Sequence, residues 1–283
     1  MRTEWSDLWR KLASQDLMTG EAGESRMVER WAGLARRLDD PGEQRPDPVL
    51  EFVLDRLDAG TTVLDIGAGV GRWTIPLAQR ARAVTAIEPV EGMWRALQDR
   101  LVSRQMENVT IVSEPWSDAD VPAHDVAVAA YSMYTSPGLA AFARKMEACS
   151  RRLCGMAMRI PAPGGVIGEL SETIHGEWHD SPNFVVGYNA LLEAGLTPNV
   201  FVEPAAARYW TDRTMGEAAA RARRHLRLAD GRFDGVIMET LERRLVRTGE
   251  GYRWPDWMRA ALVWWEPGRA CEALSGQALG IGP

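Results

Sequence analysis

The 283 residues predict an α/β fold, an open and mostly parallel sheet with helices on both faces. Three observations carry that prediction. Short apolar runs of strand character alternate with helix-period segments from about residue 55 to 160. The first run, Val63-Leu64-Asp65-Ile66, leads straight into a glycine-rich turn, Gly67-Ala68-Gly69-Val70-Gly71. The second run, Ala83-Val84-Thr85-Ala86-Ile87, ends in an acid, Glu88.

Residues 1–54 read as a helical extension that either forms a lid or packs on the body. Trp5, Leu8, Trp9 and Leu12 recur at helical spacing, and a second pattern covers Met27 to Leu34. Asp39-Asp40-Pro41-Gly42 marks a loop. A helix is predicted from Pro48 to Leu57, because Asp47 suits an N-cap and proline suits the first helical position.

Residues 55–160 form the core. A helix follows the glycine turn, through Trp73-Thr74-Ile75-Pro76-Leu77-Ala78, and another runs from Val90 to about Arg104 with Met93, Leu97 and Leu101 on one face. Further strands are predicted at Val109–Val112, Asp125–Ala130 and Leu153–Ile160, with a helix from Leu139 to about Cys149. Such units connect right-handedly, and ligands bind at the carboxyl ends of the strands. The glycines and Glu88 lie at those ends. Pro161-Ala162-Pro163-Gly164-Gly165 breaks the alternation, and residues 161–266 read as cap insertions plus completion of the sheet. Helices are predicted from Thr214 to Leu226 and from Phe233 to Arg247, and strands at Asn199–Val202 and Ala260–Trp265. Residues 267–283 form a tail.

Glycines permit backbone angles that other residues avoid and let a ligand lie against the main chain at a helix N-terminus. The spacing here is G-x-G-x-G, and Arg72 falls where a dinucleotide fingerprint needs a small third residue. That argues against a nicotinamide dinucleotide. A P-loop is excluded because no G-x-x-x-x-G-K-[ST] occurs. Glu88 stands about twenty residues after the first glycine, where an acid grips a ribose. A carboxylate offers two ionised acceptor oxygens to a pair of hydroxyls.

The stretch from Val63 to Gly71 resembles motif I of the class I S-adenosylmethionine (SAM)-dependent methyltransferases, and Glu88 matches the family's second motif. The resemblance implies a Rossmann-like sheet whose seventh strand is antiparallel and lies beside the fifth. It implies SAM as cofactor and S-adenosylhomocysteine as product. Asp65 would support the methionine end, Glu88 the ribose, and Gly67, Ala68, Gly69 and Gly71 would pass beneath the cofactor. Pro89, Met93, Ser117 and Tyr131 would line it. In the loop after the third strand, Asp118 would take the adenine amine and Trp116 would either stack on the adenine or plug the core. Tyr131 and Tyr134 occupy the family's motif IV position, where they would orient an acceptor or pack as wall.

His175 and His179 stand four residues apart, so a continuous helix would put both rings on one face. They are candidates for a general base, with a polar cap segment as the alternative. Metal is not expected, since H-E-x-x-H is not met and no third ligand is evident. His124 reads as surface.

The formal net charge of −6 weighs against a nucleic-acid partner. The one basic stretch, Arg221 to Arg227, reads as a solvated helix face. No apolar run reaches the roughly 18 residues that span a membrane, and the polar start does not resemble a signal peptide. Three scattered cysteines read as reduced thiols of a cytoplasmic protein. The expected function is transfer of a methyl group from SAM to a small acceptor, aromatic or partly apolar given 12 tryptophans, by a monomer or homodimer. The alternatives are a non-catalytic SAM-binding protein of the same fold and a methyltransferase acting on RNA or protein.

Overall fold

A computed structural model describes residues 4–14, 47–162, 164–178, 181–204, 209–257 and 259–268. The predicted pattern from Met27 to Leu34, the 39–42 loop and most of the tail lie outside them.

The elements that build the central sheet follow the predicted alternation. They run β1 (Thr62–Ile66), α3 (Thr74–Arg80), β2 (Ala83–Ile87), α4 (Glu91–Ser103), β3 (Val109–Val112), β4 (His124–Ala130), α5 (Leu139–Ala148) and β5 (Ser150–Ile160). Before them come α1 (Trp5–Ser14) and α2 (Pro48–Leu54). After them come α6 (Val166–His175), α7 (Phe184–Glu193), β6 (Asn199–Val202), β7 (Tyr209–Asp212), α8 (Met215–His225), α9 (Asp234–Arg244), β8 (Val246–Thr248), β9 (Gly251–Trp257) and β10 (Arg259–Trp265). The seven-stranded sheet has the order β3-β2-β1-β4-β5-β10-β6. β1 to β5 pair in parallel, whereas β10 is antiparallel to both β5 and β6. The predicted antiparallel strand beside the fifth is therefore β10.

The strands are apolar on both sides because both faces are covered. On one face α1, α5 and α7 close over Leu64, Ile66, Ala127, Met156 and Met158; on the other, α2 and α3 cover Val63, Val84, Val126 and Leu262. Asp47 accepts from the Leu50 N–H and caps α2, with Pro48 at the start of the helix. Trp9 is completely buried, and its indole N–H donates to the Ser136 carbonyl at 2.8 Å. The Glu193 carboxylate of α7 accepts from the Trp5 and Ser6 N–H groups at the start of α1, each at 2.8 Å. α1 is thus packed on the body through Trp9 and tied to α7 through Glu193.

The order of strands positions the cap. β6 runs parallel to β5 because each is antiparallel to β10. The chain therefore leaves β5 for α6, leaves β6 for β7, and enters β10 at one end of the sheet. That is the end carrying the glycine turn. The cap packs α6, α8 and α9 around Ile167, Leu170, Ala222, Ile237, Leu241 and Trp254. It also holds a three-stranded sheet of order β7-β9-β8, which the periodicity does not predict. The predicted helix to Arg247 stops at Arg244, and Val246 starts β8. β8 and β9 form a hairpin across Gly249-Glu250, with Thr248 opposite Gly251. This Gly-x-Gly sequence is a turn signal.

Two side-chain expectations are corrected in the fold. His124 is only 6% exposed, because β4 begins at this residue and its Nε2 pairs with the Thr85 hydroxyl at 2.8 Å. The arginines of α8 are not all solvated. Arg221 makes a bidentate contact with the buried Asp212, and Arg223 pairs with Asp234. Burial alone would raise the Asp212 carboxyl, but Arg221 and the Trp254 indole N–H hold it below the usual carboxylate value. Among the described residues no helix is long and apolar enough to cross a membrane.

Candidate cofactor site

β1 delivers Asp65 and Ile66 to the turn, and the turn bends because three glycines take positive φ: Gly67 (+76°), Gly69 (+56°) and Gly71 (+87°). The Gly67 and Ala68 N–H groups both donate to the Ile87 carbonyl, at 2.8 and 2.9 Å, which ties the turn to the end of β2. A Cβ on Gly67 would come within 2.2 Å of the Ser132 Cβ, and one on Gly71 within 2.5 Å of a Leu97 methyl. A Cβ on Gly69 would meet nothing within 4 Å. Gly67 and Gly71 are glycine for packing, whereas Gly69 presents bare backbone to open space.

Glu88 is 5% exposed and holds the turn in place. One carboxylate oxygen accepts from the Gly69 N–H at 2.8 Å and the other from the Val90 N–H at 2.9 Å. Burial raises its pKa, and the two backbone donors oppose the rise. Each oxygen keeps a second lone pair for a further donor. Asp65 is 1% exposed and accepts from the Thr74 hydroxyl at 2.6 Å. Burial, with a smaller push from Glu88, raises its pKa to about 6 against the pull of the Thr74 bond. Two buried acids thus flank a strip of bare backbone at the carboxyl ends of β1 and β2. This arrangement suits a ligand with a cationic end and a vicinal diol.

Residues 63–152 match the profile of a family described as "Methyltransferase domain". The sheet order and the antiparallel β10 agree with the class that the sequence resembles. Residues 63–152 thus carry a methyltransferase domain.

Relatives of this methyltransferase domain cover different shares of the chain. The "Probable ribosomal RNA small subunit methyltransferase A" of Methanosphaera stadtmanae is 31% identical over 84 residues, 29% of this chain and 31% of the relative. An uncharacterized protein of Haemophilus influenzae is 26% identical over 62% of this chain and 66% of its own. The chain thus spans about a third of the first relative's length. The crystal structure of the YcgJ protein from Bacillus subtilis shares the fold, with a TM-score of 0.52 at 12% identity over 77% of this chain and 97% of that one. The open backbone at Gly69 between Asp65 and Glu88 fits SAM, the cofactor that the sequence resemblance implies.

The remaining predicted residues fall in three groups. Ala68 and Met93 are buried at the turn and at the start of α4, and Pro89 is exposed between them. Ser117 and Asp118 are exposed on the loop after β3. Trp116 is the core plug: its indole N–H donates to the Phe142 carbonyl at 3.4 Å, and the Lys145 ammonium lies 4.6 Å from its ring centroid. Lys145 also donates to the carbonyls of Trp116, Ser117 and Ala119, so it shapes this loop.

Tyr131 follows β4 directly, in a left-handed backbone conformation (φ +61°). The Arg72 guanidinium lies 5.7 Å from its ring centroid. Tyr134 accepts from the Arg159 N–H through its hydroxyl, and burial pushes its pKa up to about 12. Neither phenol titrates near neutrality.

The helix that carries His175 ends at that residue. Gly176 takes φ +75° and terminates α6 directly after His175. The chain then folds back so that the Trp178 ring packs on Gly168 of the same helix. His175 Nε2 lies 3.0 Å from the Leu226 carbonyl, a tie within the cap. α6 carries it about 15 Å along the helix axis from the segment after β5. His179 lies outside the described residues. Among those residues, no group of three His, Cys, Asp or Glu side chains is placed to hold a metal.

Sequence reasoning missed Arg72 as a structural partner. Its guanidinium bonds the Asp47 carboxylate at 2.6 Å, and the Trp73 indole N–H donates to the same oxygen at 3.2 Å. Asp47 was visible as a cap, but its second role needs the approach of α2 to the glycine turn.

Proposed function

We propose that the chain is an active methyltransferase that moves a methyl group from SAM to a small, aromatic or partly apolar acceptor. The observation that carries the reading is Glu88, buried and braced between the Gly69 and Val90 N–H groups beside the open backbone of Gly69. SAM supplies a methyl group on a sulfonium, which an acceptor displaces in line. The chain's part is to hold the two in contact and aligned, which supplies much of the rate in such reactions. Asp65 serves the methionine end, Glu88 the ribose, and the 115–118 loop the adenine. Tyr131 and Tyr134 line the acceptor side. Neither phenol is suited to act as a base, and His175 is spent on the cap, so an acceptor with a proton to lose gives it to water or to another group.

A small acceptor is favoured over RNA by charge. The chain is net acidic at −6, and two arginines of its basic stretch are already paired with Asp212 and Asp234. An RNA acceptor would need a basic face. The name of the Methanosphaera stadtmanae relative supports RNA, so the two readings are tested together. Incubation with methyl-labelled SAM, a small-molecule extract and total RNA is expected to place the label in the low-mass fraction. Label in the RNA would overturn the small-molecule reading.

The raised Asp65 pKa gives a pH signature. The ionised carboxylate is the form that suits a cationic ammonium, so SAM affinity is expected to fall as pH drops through about 6. Stability moves the other way for this group. Its folded pKa lies above the unfolded one, so the folded state binds the extra proton between about pH 4 and 6 and is stabilised as pH falls through that window. Asp65→Asn is expected to bind SAM weakly and without this pH dependence. An affinity flat from pH 7 to 5 in the wild type would remove Asp65 from the ligand's cationic end.

A further inference from the structure

Arg72 places a fixed positive charge at the cofactor site, directly after Gly71. Its guanidinium stands 5.7 Å from the ring of Tyr131. One carboxylate answers it. Asp47 is mostly buried, with its side chain 12% exposed, and its two oxygens take three donors. One oxygen accepts from the Leu50 N–H at 3.2 Å; the other accepts from Arg72 at 2.6 Å and from the Trp73 indole at 3.2 Å. The pair is thus held from both sides, by the cap of α2 and by the start of α3. Burial is the main cause that raises the Tyr131 hydroxyl pKa; Asp47 and, more weakly, Glu203 add to the rise, and Arg72 opposes it.

The ligand changes charge during the reaction. SAM carries a sulfonium cation, and its product carries a neutral thioether. A bare guanidinium at this wall would oppose the substrate form and leave the product form alone. We propose that Asp47 is a specificity-determining residue of the cofactor site, which neutralises Arg72 beside Tyr131 and so lets the pocket take the cationic sulfonium form without favouring the spent thioether. The proposal rests on SAM as the cofactor. It gives the Asp47–Arg72 pair a role beyond packing, since the pair keeps product from displacing substrate.

The test is calorimetric titration of the full chain with SAM and, separately, with S-adenosylhomocysteine. Asp47→Asn is the informative variant, because asparagine is as good an N-cap as aspartate and leaves α2 capped. It removes the charge and also turns an NH2 group toward the Arg72 and Trp73 donors, a loss of packing that acts on both ligands alike. Its SAM affinity is expected to fall about three- to tenfold more than its S-adenosylhomocysteine affinity, as for a charge several ångströms away at an effective dielectric of about 20 to 40. Arg72→Gln does the reverse: it leaves the Asp47 carboxylate without its cation and is expected to shift the ratio toward SAM by a similar factor. The double variant returns the ratio to the wild-type value. A merely structural pair would weaken both ligands alike. Equal losses for the two ligands, or single variants that move the ratio in the same direction, would overturn the proposal while leaving the cofactor intact. Absence of binding to the wild type by either ligand would overturn the proposal and the cofactor reading together.

Discussion

Glu88→Ala is expected to weaken SAM binding by about 1.5–3 kcal/mol or more, a tenfold to hundredfold loss, as for hydrogen bonds to a charged group. The loss has two sources. Glu88 would supply the ribose with its acceptor, and it also fixes the turn by accepting from Gly69 and Val90. Glu88→Gln separates them only in part. An amide keeps one acceptor but turns its NH2 group toward a backbone N–H, so it too is expected to bind weakly. Calorimetry on both variants checks this. An alanine variant that binds as tightly as the wild type would move the ribose elsewhere.

Gly67→Ala is expected to lose about 2–5 kcal/mol of folding stability. A side chain in the left-handed region costs about 1–2 kcal/mol, and overpacking typically adds about 1–3 kcal/mol. The overpacking is specific: the new Cβ would lie 2.2 Å from the Ser132 Cβ, at the end of β4 where the backbone has little room to yield. Gly69→Ala provides the contrast. Its φ is also positive, but its Cβ would face open space. It is expected to cost about 1–2 kcal/mol of stability while obstructing the cofactor. Urea unfolding of the two variants, paired with SAM titration, would resolve the pattern. Equal stability losses with equal binding losses would contradict the division of labour among these glycines.

Much of the core was legible because its signals are local. The strands from Val63 to Ile160, the capped start at Asp47-Pro48 and the glycine turn depend on neighbours within a few residues. The same holds for Glu88, whose position at a strand end follows from the strand itself. Other features depend on partners far along the chain. His124 looks like a turn residue until β4 pairs from its first position and Thr85 comes within 2.8 Å. Arg221 looks solvated until β7 brings Asp212 beneath it. The strands β7 and β8 have four and three residues, too short for periodicity to show. Their pairing partner β9 lies more than a full helix away from β7.

Some readable signals were outweighed. Gly176 follows His175 directly and is a helix stop, yet the i, i+4 spacing of the two histidines suggested a continuous face. Arg72 argued against a dinucleotide through its size, but its charge carried a second message. A partly buried arginine needs a counter-ion, and Asp47 was available as a capping acid on the preceding helix.

The central claim is that the bare backbone between Asp65 and Glu88 holds SAM. It is tested most directly by titrating the full-length wild-type chain with SAM at pH 7 in a calorimeter. Saturable binding of one equivalent is the predicted result. No heat of binding for SAM or S-adenosylhomocysteine, from protein shown to be folded, would contradict it.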